Sequence, residues 1–382
     1  MSFANLDKRQ ERRPVIIRDG HWHRPRAAHR AERASGVVVS ARKPVITQYD
    51  LAEHLGVGQK TVSRALAGEP RVAPELRARI VAAAAKLGYR VNQSARSVKS
   101  QRFDKVLFLQ LVEAADQRID SGIVDGIADG VSALGRSLVL ERLVVPDLLA
   151  GGQAPRGLSE LMVDGVLVHG HLDPPPAVEA LLATCGLPVV WVNRVLDHDA
   201  VYPDDHGGAR LMVDQLVAAG HRRIAWYDEQ SGFRPRGDLH YSRAERIAGY
   251  RAAMTAVGLA PQILTPPQDP GRDGQFAWLL ARLGKQPRST AIACYGGHEA
   301  LTVLLAAGHL GLRVPDDLSL ILAHHDTLVA GIRIDVAQVP SEAMGRTAAA
   351  MLGRRLTGTR RTPAVAVPFS VLPGLSVGPP AK

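Results

Sequence analysis

The sequence predicts an α/β fold, in which a small helical head precedes a larger core of two doubly wound parallel sheets. Residues 44–90 carry helical apolar patterns on either side of a short glycine-rich turn. From residue 104 onward, short apolar strands alternate with helical patterns. Such alternation predicts parallel sheets covered by helices on both faces. The strand candidates are too many for one small sheet, so they predict two subdomains.

The head has the order of a helix-turn-helix motif. Thr47 is a candidate N-cap, Asp50 stands at the capping-box position, and Gly56-Val57-Gly58 forms the turn. The residues expected to face inward are Leu51, Ala52, Leu55, Val57, Val62, Ala65 and Leu66. A third helix is predicted from Pro74 to Gly88, because proline suits a first helical position and glycine suits the end. Its apolar stripe is Leu76, Ile80, Ala83 and Leu87.

The polar face of the second helix carries Gln59, Lys60, Ser63 and Arg64. These side chains can hydrogen-bond base edges or phosphates in a major groove. The alternatives are an ordinary solvated face, or a helix pair that belongs to a larger core. The third helix and the segment after it favour a DNA-binding head over both alternatives.

At this point the sequence resembles the LacI/GalR (lactose repressor / galactose repressor) family of bacterial transcriptional regulators. The matching residues are Thr61-Val62-Ser63-Arg64-Ala65-Leu66, Gly88-Tyr89 with Asn92, and Ala95-Arg96-Ser97. The resemblance implies that the second helix enters the major groove, with Gln59, Lys60 and Arg64 as base readers. It also implies a hinge helix in residues 91–103 that wedges an apolar side chain into the minor groove at the operator dyad.

Val98 stands at the wedge position, where the family usually has leucine, and Val91 replaces its usual proline. Both departures affect how strongly the hinge helix is expected to bend the operator, but not whether it bends it. The DNA-binding residues that the resemblance implies are Thr47, Gln59, Lys60, Thr61, Ser63, Arg64, Asn92, Ala95, Arg96 and Val98.

The net charge of +10 is concentrated toward the start of the 382-residue chain. Residues 1–42 hold ten Lys and Arg residues against four Asp and Glu residues, a net charge of +6. A basic arm beside a DNA-binding head can add phosphate contacts and salt-dependent affinity. The alternatives for residues 1–43 are that they are disordered, or that translation starts later, near Val39.

Other features of the composition predict a cytoplasmic protein. No run approaches the roughly 18 apolar residues that a membrane span needs, and no secretory signal pattern is visible. The two cysteines, Cys185 and Cys294, are far apart in sequence, which disfavours a disulfide framework and fits a reducing compartment.

Residues 104–382 form the predicted core, in which the chain is expected to cross between subdomains near residues 204, 325 and 340. The predicted strands are Lys105–Leu111, Ser137–Leu143, Asp164–Val168, Pro188–Asn193, Arg223–Tyr227, Ala291–Cys294 and Ser319–Leu322. Helical patterns between them include Gly207–Ala219, Ser242–Val257, Gly274–Leu283 and His298–Leu310. Ligands of such folds bind at the carboxyl ends of the strands or between the subdomains.

The core also resembles the effector-binding domain of the same family, which is similar to periplasmic sugar-binding proteins. The matching runs are residues 163–167, 187–190, 220–225, 246–253 and 311–319. By this resemblance Arg246 grips the effector, and its planar guanidinium suits hydroxyl, carboxylate or phosphate groups. An ungapped match places His324 where the family has an aspartate, whereas a two-residue slip places Asp326 there. Tyr295-Gly296-Gly297-His298 stands where the family usually has an asparagine–aspartate pair. Both departures remove carboxylates that commonly hold sugar hydroxyls, so the expected effector is a sugar or related metabolite and need not be a plain sugar.

Other candidates lie where predicted strands end. Alternation along the strand places His169 and His171 on one side. Asn193 and Arg194 end the next strand. Ile123 and Val124 would supply an apolar wall to the same cleft. Ordinary loop, turn or surface roles are the alternatives. The predicted effector-binding residues are Ile123, Val124, His169, His171, Asn193, Arg194, Arg246, Tyr295, His324 and Asp326. No closed ligand set predicts a metal, and no motif predicts a cofactor.

Together these patterns predict a sequence-specific DNA-binding regulator, a repressor that a small molecule in the core controls. The expected partners are double-stranded operator DNA, the effector and a second copy of the chain, with Ile123 to Leu134 in much of the dimer surface. The alternative is a small-molecule-binding protein of the same fold without a DNA target. An enzyme is disfavoured, because no Walker loop, nucleophile elbow or metalloprotease helix is visible.

Overall fold

A computed structural model of the protein describes residues 46–90, 102–113, 120–160, 162–170, 172–229, 240–267, 271–329 and 331–381. The expected tail (residues 1–43) and most of the expected hinge helix (residues 91–101 of 91–103) lie outside these ranges. The chain divides between Val91 and Asn92 into two units, the head and the core.

The head folds as the predicted three helices, α1 (Gln48–Leu55), α2 (Gln59–Leu66) and α3 (Pro74–Leu87). The capping box at the start of α1 is present. The backbone N–H of Thr47 donates to Asp50 Oδ2 at 2.7 Å, and the backbone N–H of Asp50 donates to Thr47 Oγ1 at 3.3 Å. Gly56 ends α1 in the left-handed region, with φ of 65°, a conformation that glycine adopts without strain.

The small core of the head confirms the predicted inward faces. Its buried members are Leu51, Ala52, Val62, Ala65, Val72, Ile80, Ala83 and Ala84, and Leu55, Val57, Leu66, Leu76 and Leu87 pack against them. Each of the three helices contributes one apolar face, so its opposite face is left for solvent or a partner.

The core unit alternates strands and helices along the chain. Residues 105–203 form β1 (Lys105–Val112), α4 (Ser121–Ala133), β2 (Ser137–Val144), α5 (Val145–Leu149), α6 (Arg156–Ser159), β3 (Gly165–His169), α7 (Pro176–Thr184), β4 (Val189–Val192) and β5 (Ala200–Pro203). Residues 205–338 form α8 (Asp205–Ala218), β6 (Ile224–Tyr227), α9 (Ser242–Ala256), β7 (Gln262–Leu264), α10 (Gly271–Leu283), β8 (Ala291–Cys294), α11 (Gly297–His309), β9 (Ser319–His324), β10 (Leu328–Val329), β11 (Ile332–Arg333) and β12 (Asp335–Gln338). Residues 341–372 form α12 (Ser341–Leu356), β13 (Val365–Val367) and β14 (Ser370–Leu372).

These elements build two lobes, each around a six-stranded sheet. Lobe 1 has the strand order β13-β5-β4-β3-β1-β2, and lobe 2 has the order β14-β12-β9-β8-β6-β7. Neighbouring strands are parallel, except that β12 and β14 are antiparallel. The seven predicted strands are therefore confirmed, with ends that differ by at most two residues.

The chain passes between the lobes after β5, after β12 and after β13. The expected crossing near residue 325 is wrong. Beyond β9 the chain makes the short β10–β11 hairpin and returns to lobe 2 as β12, which pairs in parallel with β9 so that Gln338 lies opposite His324. A crossing at residues 368–369, between β13 and β14, was not predicted, because both strands have only three residues.

In lobe 1 the helices α4 and α12 pack with their backbones in close contact. A Cβ atom on Gly126 would lie 2.1 Å from the carbonyl oxygen of Glu342, and one on Gly345 would lie 2.6 Å from that of Ile123. The apolar side chains Ile127 and Met344 are buried in the core between these helices and the sheet. Glycine is required where the two helices cross, because any side chain would meet a main chain.

We expect Gly126→Ala to lower the free energy of unfolding of the core by about 1–3 kcal/mol, since overpacking against a backbone forces the helices apart. Gly308→Ala is the matched control, because Gly308 lies in α11 and a Cβ there meets nothing within 4 Å. That substitution should stabilise by about 0.5–1 kcal/mol through helix propensity. Urea unfolding of both variants checks the pair, and an unchanged midpoint for Gly126→Ala would contradict the packing.

Candidate DNA-contact surface and effector cleft

The polar face of α2 is at the surface of the head, opposite the buried Val62 and Ala65. Lys60 is exposed, and Gln59 and Arg64 are partly exposed. The amide of Gln59 donates to Gln48 Oε1 at 3.0 Å, and Arg64 Nε lies 3.5 Å from Glu69 Oε2. Exposed ion pairs of this kind contribute at most about 1 kcal/mol. Gln59 and Arg64 can therefore exchange these partners for base edges at little cost.

Other predicted contacts in the head have different surroundings. Thr61 and Ser63 are half-buried on α2. The hydroxyl of Thr47 lies 2.8 Å from Asp50 Oδ2 and belongs to the capping box. Asn92, Ala95, Arg96 and Val98 lie outside the described residues. Tyr49, whose side chain is 72% exposed on α1, was not among the predicted DNA-binding residues. It could have been included, because it stands outside the inward-facing stripe of α1.

The core has a cleft of about 840 Å³ between its lobes, solvent at its mouth included. It opens at the carboxyl ends of strands from both sheets. Lobe 1 contributes Asp120, Ile123, His169, Asn193, Ser341 and Met344; lobe 2 contributes His240, Ser242, Arg246, Tyr295, Gly296, Ala323, His324 and His325; Pro203 and Val339 line it beside two of the crossings. A cleft of this size with a few convergent polar groups fits a small molecule.

Arg246 is the fixed cation of the cleft. Its Nε donates to Asp205 Oδ1 at 2.7 Å, and its Nη1 donates to the carbonyl oxygen of Tyr295 at 2.9 Å. The guanidinium carbon lies 4.6 Å from the centre of the Tyr295 ring and 5.5 Å from that of Phe369. Burial lowers the pKa of Arg246, but Asp205 together with Tyr295 and Tyr241 raises it above its usual value. The guanidinium is therefore charged and held in one orientation.

A chain of polar contacts joins the lobes on one side of the cleft. Asn193, at the end of β4, adopts a left-handed φ of 66°, and its Nδ2 lies 3.0 Å from His240 Nε2. Its Oδ1 accepts from the hydroxyl of Tyr241 at 3.2 Å. His240 Nδ1 is 2.6 Å from Ser242 Oγ, which in turn is 2.8 Å from the hydroxyl of Tyr295. These contacts hold lobe 1 against the start of α9 in lobe 2.

A second contact joins the lobes through His325, which follows β9. Its Nδ1 lies 3.2 Å from Asp120 Oδ2 and 3.0 Å from Ser341 Oγ, both in lobe 1. Asp120 Oδ1 accepts from the backbone N–H of Gly122 and so caps α4. Partial burial lowers the pKa of His325, whose side chain remains 44% exposed; Asp120 only partly opposes this effect, and His324 and Arg246 lower the pKa further. These effects favour the neutral imidazole.

Of the predicted effector-binding residues, the structure brings Ile123, His169, Asn193, Arg246, Tyr295 and His324 together in the cleft. The remaining four do not line it within the described residues. Val124 packs into the core of lobe 1. Arg194 stacks 4.6 Å from the centre of the Trp191 ring and pairs with Glu179 at 2.8 Å. Asp326 lies in an exposed turn, and His171 lies outside the described residues.

Of the two alternatives at the end of β9, His324 lines the cleft and Asp326 does not. Six polar residues in or behind the cleft were not among the candidates: Asp120, Asp205, His240, Ser242, His325 and Ser341. Three had a sequence signal. Asp205 and Ser341 follow the predicted crossings near 204 and 340, and Ser242 begins a predicted helix.

Within the described ranges, no three His, Cys, Asp or Glu side chains gather as a metal site would require. The helices in those ranges are also too short or too polar to cross a bilayer.

Comparisons with known proteins match both units. Residues 47–92 match the model of the lacI family of bacterial regulatory proteins, and residues 213–377 match that of the periplasmic binding protein-like domain. The HTH-type transcriptional regulator CelR of Thermobifida fusca is 30% identical over 341 residues, which span 84% of this chain and 94% of CelR. This chain belongs to the lacI family of bacterial regulatory proteins. It is therefore a DNA-binding transcriptional repressor that responds to a small-molecule effector.

Solved structures agree with the fold. A CelR–cellobiose complex superimposes with a TM-score of 0.57 at 27% identity, covering 87% of this chain and 99% of that one. A lac repressor dimer bound to operator and the anti-inducer ONPF gives a TM-score of 0.66 at 23% identity, covering 88% and 100%. The lactose operon repressor of Escherichia coli is 28% identical over 289 residues, 75% of this chain and 76% of its own.

The contact between His325 and lobe 1 gives the stability of the core a pH dependence. Because the folded pKa of His325 is below the ordinary value of 6.5, the unfolded chain takes up the proton first as the pH falls. We expect the free energy of unfolding to decrease from about pH 7 downward, through the folded pKa of His325. His325→Gln should make this decrease smaller, measured as urea midpoints at several pH values.

His206→Gln is the matched control, because it makes the same substitution at an exposed position of α8. The buried His221, whose pKa burial also lowers, remains in both variants and keeps part of the decrease. Identical profiles for His325→Gln and the parent would contradict the assignment.

Proposed function

We propose that the protein is a homodimer whose two heads bind the half-sites of a near-palindromic operator, and whose core binds a sugar or related metabolite. The observation that carries this proposal is the pairing of two features in one chain. The head exposes the polar face of a recognition helix, and the core gathers polar side chains from two lobes around one cleft. Two-fold symmetry of the dimer would match symmetry in the operator.

On the DNA side, Gln59, Lys60 and Arg64 would read base edges from α2 in the major groove. An arginine or lysine suits guanine, and a glutamine suits adenine. Thr47, Thr61 and Ser63 would add contacts around them. Asn92, Ala95 and Arg96 would belong to the hinge helix, with Val98 as the minor-groove wedge.

On the effector side, Arg246, Asn193, Tyr295, His169 and His324 would surround the ligand. The CelR complex contains cellobiose, which supports a sugar as the ligand class here. Arginine, imidazole, amide and hydroxyl groups offer the donors and acceptors that ring hydroxyls require. Ile123 and Met344 would supply an apolar surface for carbon atoms.

Effector binding would act on the DNA by changing how far the lobes close. A ligand shifts such an equilibrium only by its difference in affinity for the two states. The cleft is suited to this, because groups of lobe 1 such as Asn193 and of lobe 2 such as Arg246 would touch one ligand. The bound ligand would thus favour one closure state and alter the geometry of the two hinge helices.

Dimerisation would use lobe 1, around α4 and β2. Ile123, Ile127 and Val131 are buried inside lobe 1, so the dimer surface would consist of neighbouring exposed positions such as Leu134 and Leu140. Relatives described as transcriptional regulators support the further proposal that the protein acts by binding and not as an enzyme, in the cytoplasm.

Arg64→Ala should weaken specific operator binding by about 10- to 100-fold, the cost of one lost bidentate base contact. Arg79→Ala is the matched control, since it removes the same charge from an exposed position on α3. Gel shifts with selected genomic fragments at two salt concentrations measure both. Equal affinities for Arg64→Ala and the parent protein would refute the role of α2.

Arg246→Met, with Asp205→Asn to avoid an unpaired buried carboxylate, should keep operator affinity within a few-fold and abolish its response to effector. Operator release in the presence of a panel of sugars, cellobiose included, measures the response. A double variant that responds like the parent would show that the ligand does not depend on Arg246. Loss of operator binding itself would contradict the separation of the two sites.

A further inference from the structure

We infer that Asp164 is a positioning residue for operator binding, which fixes the direction in which the chain leaves lobe 1 toward the head. Arg136 holds the carboxylate of Asp164 in place. Both residues lie directly before strands of lobe 1, β2 and β3, at the edge of its sheet opposite the effector cleft. The inference rests on the proposed function, because it concerns how the core presents the head to an operator.

Both oxygens of the Asp164 carboxylate are engaged. Oδ1 accepts from the backbone N–H of Phe103 at 2.7 Å, and Oδ2 forms an ion pair with Nη1 of Arg136. The side chains of Asp164 and Arg136 are only 10% and 17% exposed. A hydrogen bond to a charged group at a site this sheltered is stronger than one on an open surface. The carboxylate is therefore a fixed acceptor at the point where the chain enters lobe 1.

The chain bends sharply between this contact and β1. Asp104 has a φ of 53°, in the left-handed region that residues with a side chain enter at a cost. Such a conformation persists only where neighbouring contacts hold it. The N–H of Phe103 is bound on one side, and on the other the carbonyl oxygen of Asp104 accepts from the N–H of Ser137 at 2.9 Å. The exit of the chain is thus tied to the starts of β2 and β3.

A single helix connects this contact with the cleft. α4 begins beside Asp120, which lines the cleft, and ends at Ala133, three residues before Arg136. Its 13 residues span about 20 Å. The start of α4 thus lies on the ligand side of lobe 1, and its end lies on the side that holds the exit of the chain. A ligand contact that shifts α4 would displace Arg136 and, through Asp164, the direction of the exit.

Loss of this contact would move a cost from folding to DNA binding. In the parent protein the exit of the chain is ordered before DNA is present, whereas without the acceptor it would have to be ordered on the operator. Specific binding requires both heads in register with two half-sites. Non-specific binding depends mainly on the positive charge of the head and does not require this register. Specific affinity should therefore fall while non-specific affinity stays unchanged.

Two double variants of the full-length protein test the role of Asp164. Arg136→Met with Asp164→Ala removes the ion pair and the acceptor for the N–H of Phe103. Arg136→Met with Asp164→Asn removes the same two charges but keeps an amide oxygen in place of Oδ1. We expect the first to bind a selected operator fragment roughly 5- to 20-fold more weakly, as for one lost hydrogen bond, and the second to recover most of this loss. Gel shifts with the operator and with a scrambled fragment measure both affinities.

The matched control is Arg355→Met with Asp199→Ala. This ion pair of 3.6 Å also lies in lobe 1, its side chains are 19% and 14% exposed, and Asp199 likewise accepts from a backbone N–H, that of Thr362, at 3.0 Å. The control should lower the thermal midpoint of the protein as the Asp164→Ala variant does, yet keep the operator affinity of the parent. A merely structural role for Asp164 would make the two variants behave alike.

A second pair of variants removes the donor instead, and it decides the question even if the Asp164→Ala variant does not fold. Phe103→Pro lacks the N–H, whereas Phe103→Ala keeps it and loses only the ring. Phe103→Pro should bind the operator at least about 5-fold more weakly than Phe103→Ala. Equal operator affinities for these two variants would overturn the inference.

Three results from the double variants would also overturn it: an unchanged operator affinity with Asp164→Ala, an equal loss in the control, or no recovery with Asp164→Asn. A parallel loss of affinity for the scrambled fragment would do the same, since the head itself would then be altered. A failure of the proposed function looks different. If the parent protein binds no fragment specifically, the regulator itself is refuted, whereas specific binding that does not depend on Asp164 overturns only its positioning role.

Discussion

The ion pair between Arg246 and Asp205 is the interaction on which the geometry of the core most depends. Asp205 is the first residue of α8, directly after the crossing that follows β5, and Arg246 lies in the first turns of α9. The guanidinium also touches Tyr295 after β8 and Phe369 at the crossing that precedes β14. One buried cation thus links two of the three connections between the lobes to the wall of the cleft. Removal of a single partner of such a pair typically costs 3–5 kcal/mol.

The polarity of the cleft follows from topology. In each lobe the parallel strands end at the same edge, and the helix after each strand begins there. Where two such edges face each other, helix N-termini from both sheets converge, whatever the side chains nearby. Asp120 and Asp204 neutralise two of these ends. At two other helix starts in the cleft the first amides also have partners: the backbone N–H of Ser242 donates to His240 Nδ1 at 3.3 Å, and that of Ser341 donates to the carbonyl oxygen of Val339 at 2.9 Å.

Sequence reasoning predicted the head almost completely, because its signals are local. A capping box, a glycine in the turn and an apolar stripe each act over a few residues, and all lie between Thr47 and Gly88. Seven of the strands were also visible as apolar runs. The three-residue strands β13 and β14 were not, since their pairing with β5 and β12 depends on contacts more than a hundred and about thirty residues away.

The cleft was predictable only in part for the same reason. Asn193 was visible because it ends a predicted strand, and Arg246 was visible because the family resemblance implies an effector-binding arginine at its position. Arg194 follows Asn193 in sequence, yet it turns to Glu179, and no local pattern indicates that pairing. His325 was missed because period-two alternation along β9 assigns the cleft to His324. The strand ends at His324, so the alternation no longer applies to its neighbour.

The glycine contacts between α4 and α12 have a mechanical consequence. α12 starts directly after the crossing that follows β12, and α4 starts beside Asp120, which lines the cleft. Where Gly126 and Gly345 meet main-chain atoms, no layer of side chains lies between the helices to absorb strain by changing rotamers. A displacement at the crossing would therefore move both helices together as a rigid unit. A shift that enters lobe 1 at this crossing would pass to α4 through main-chain contacts.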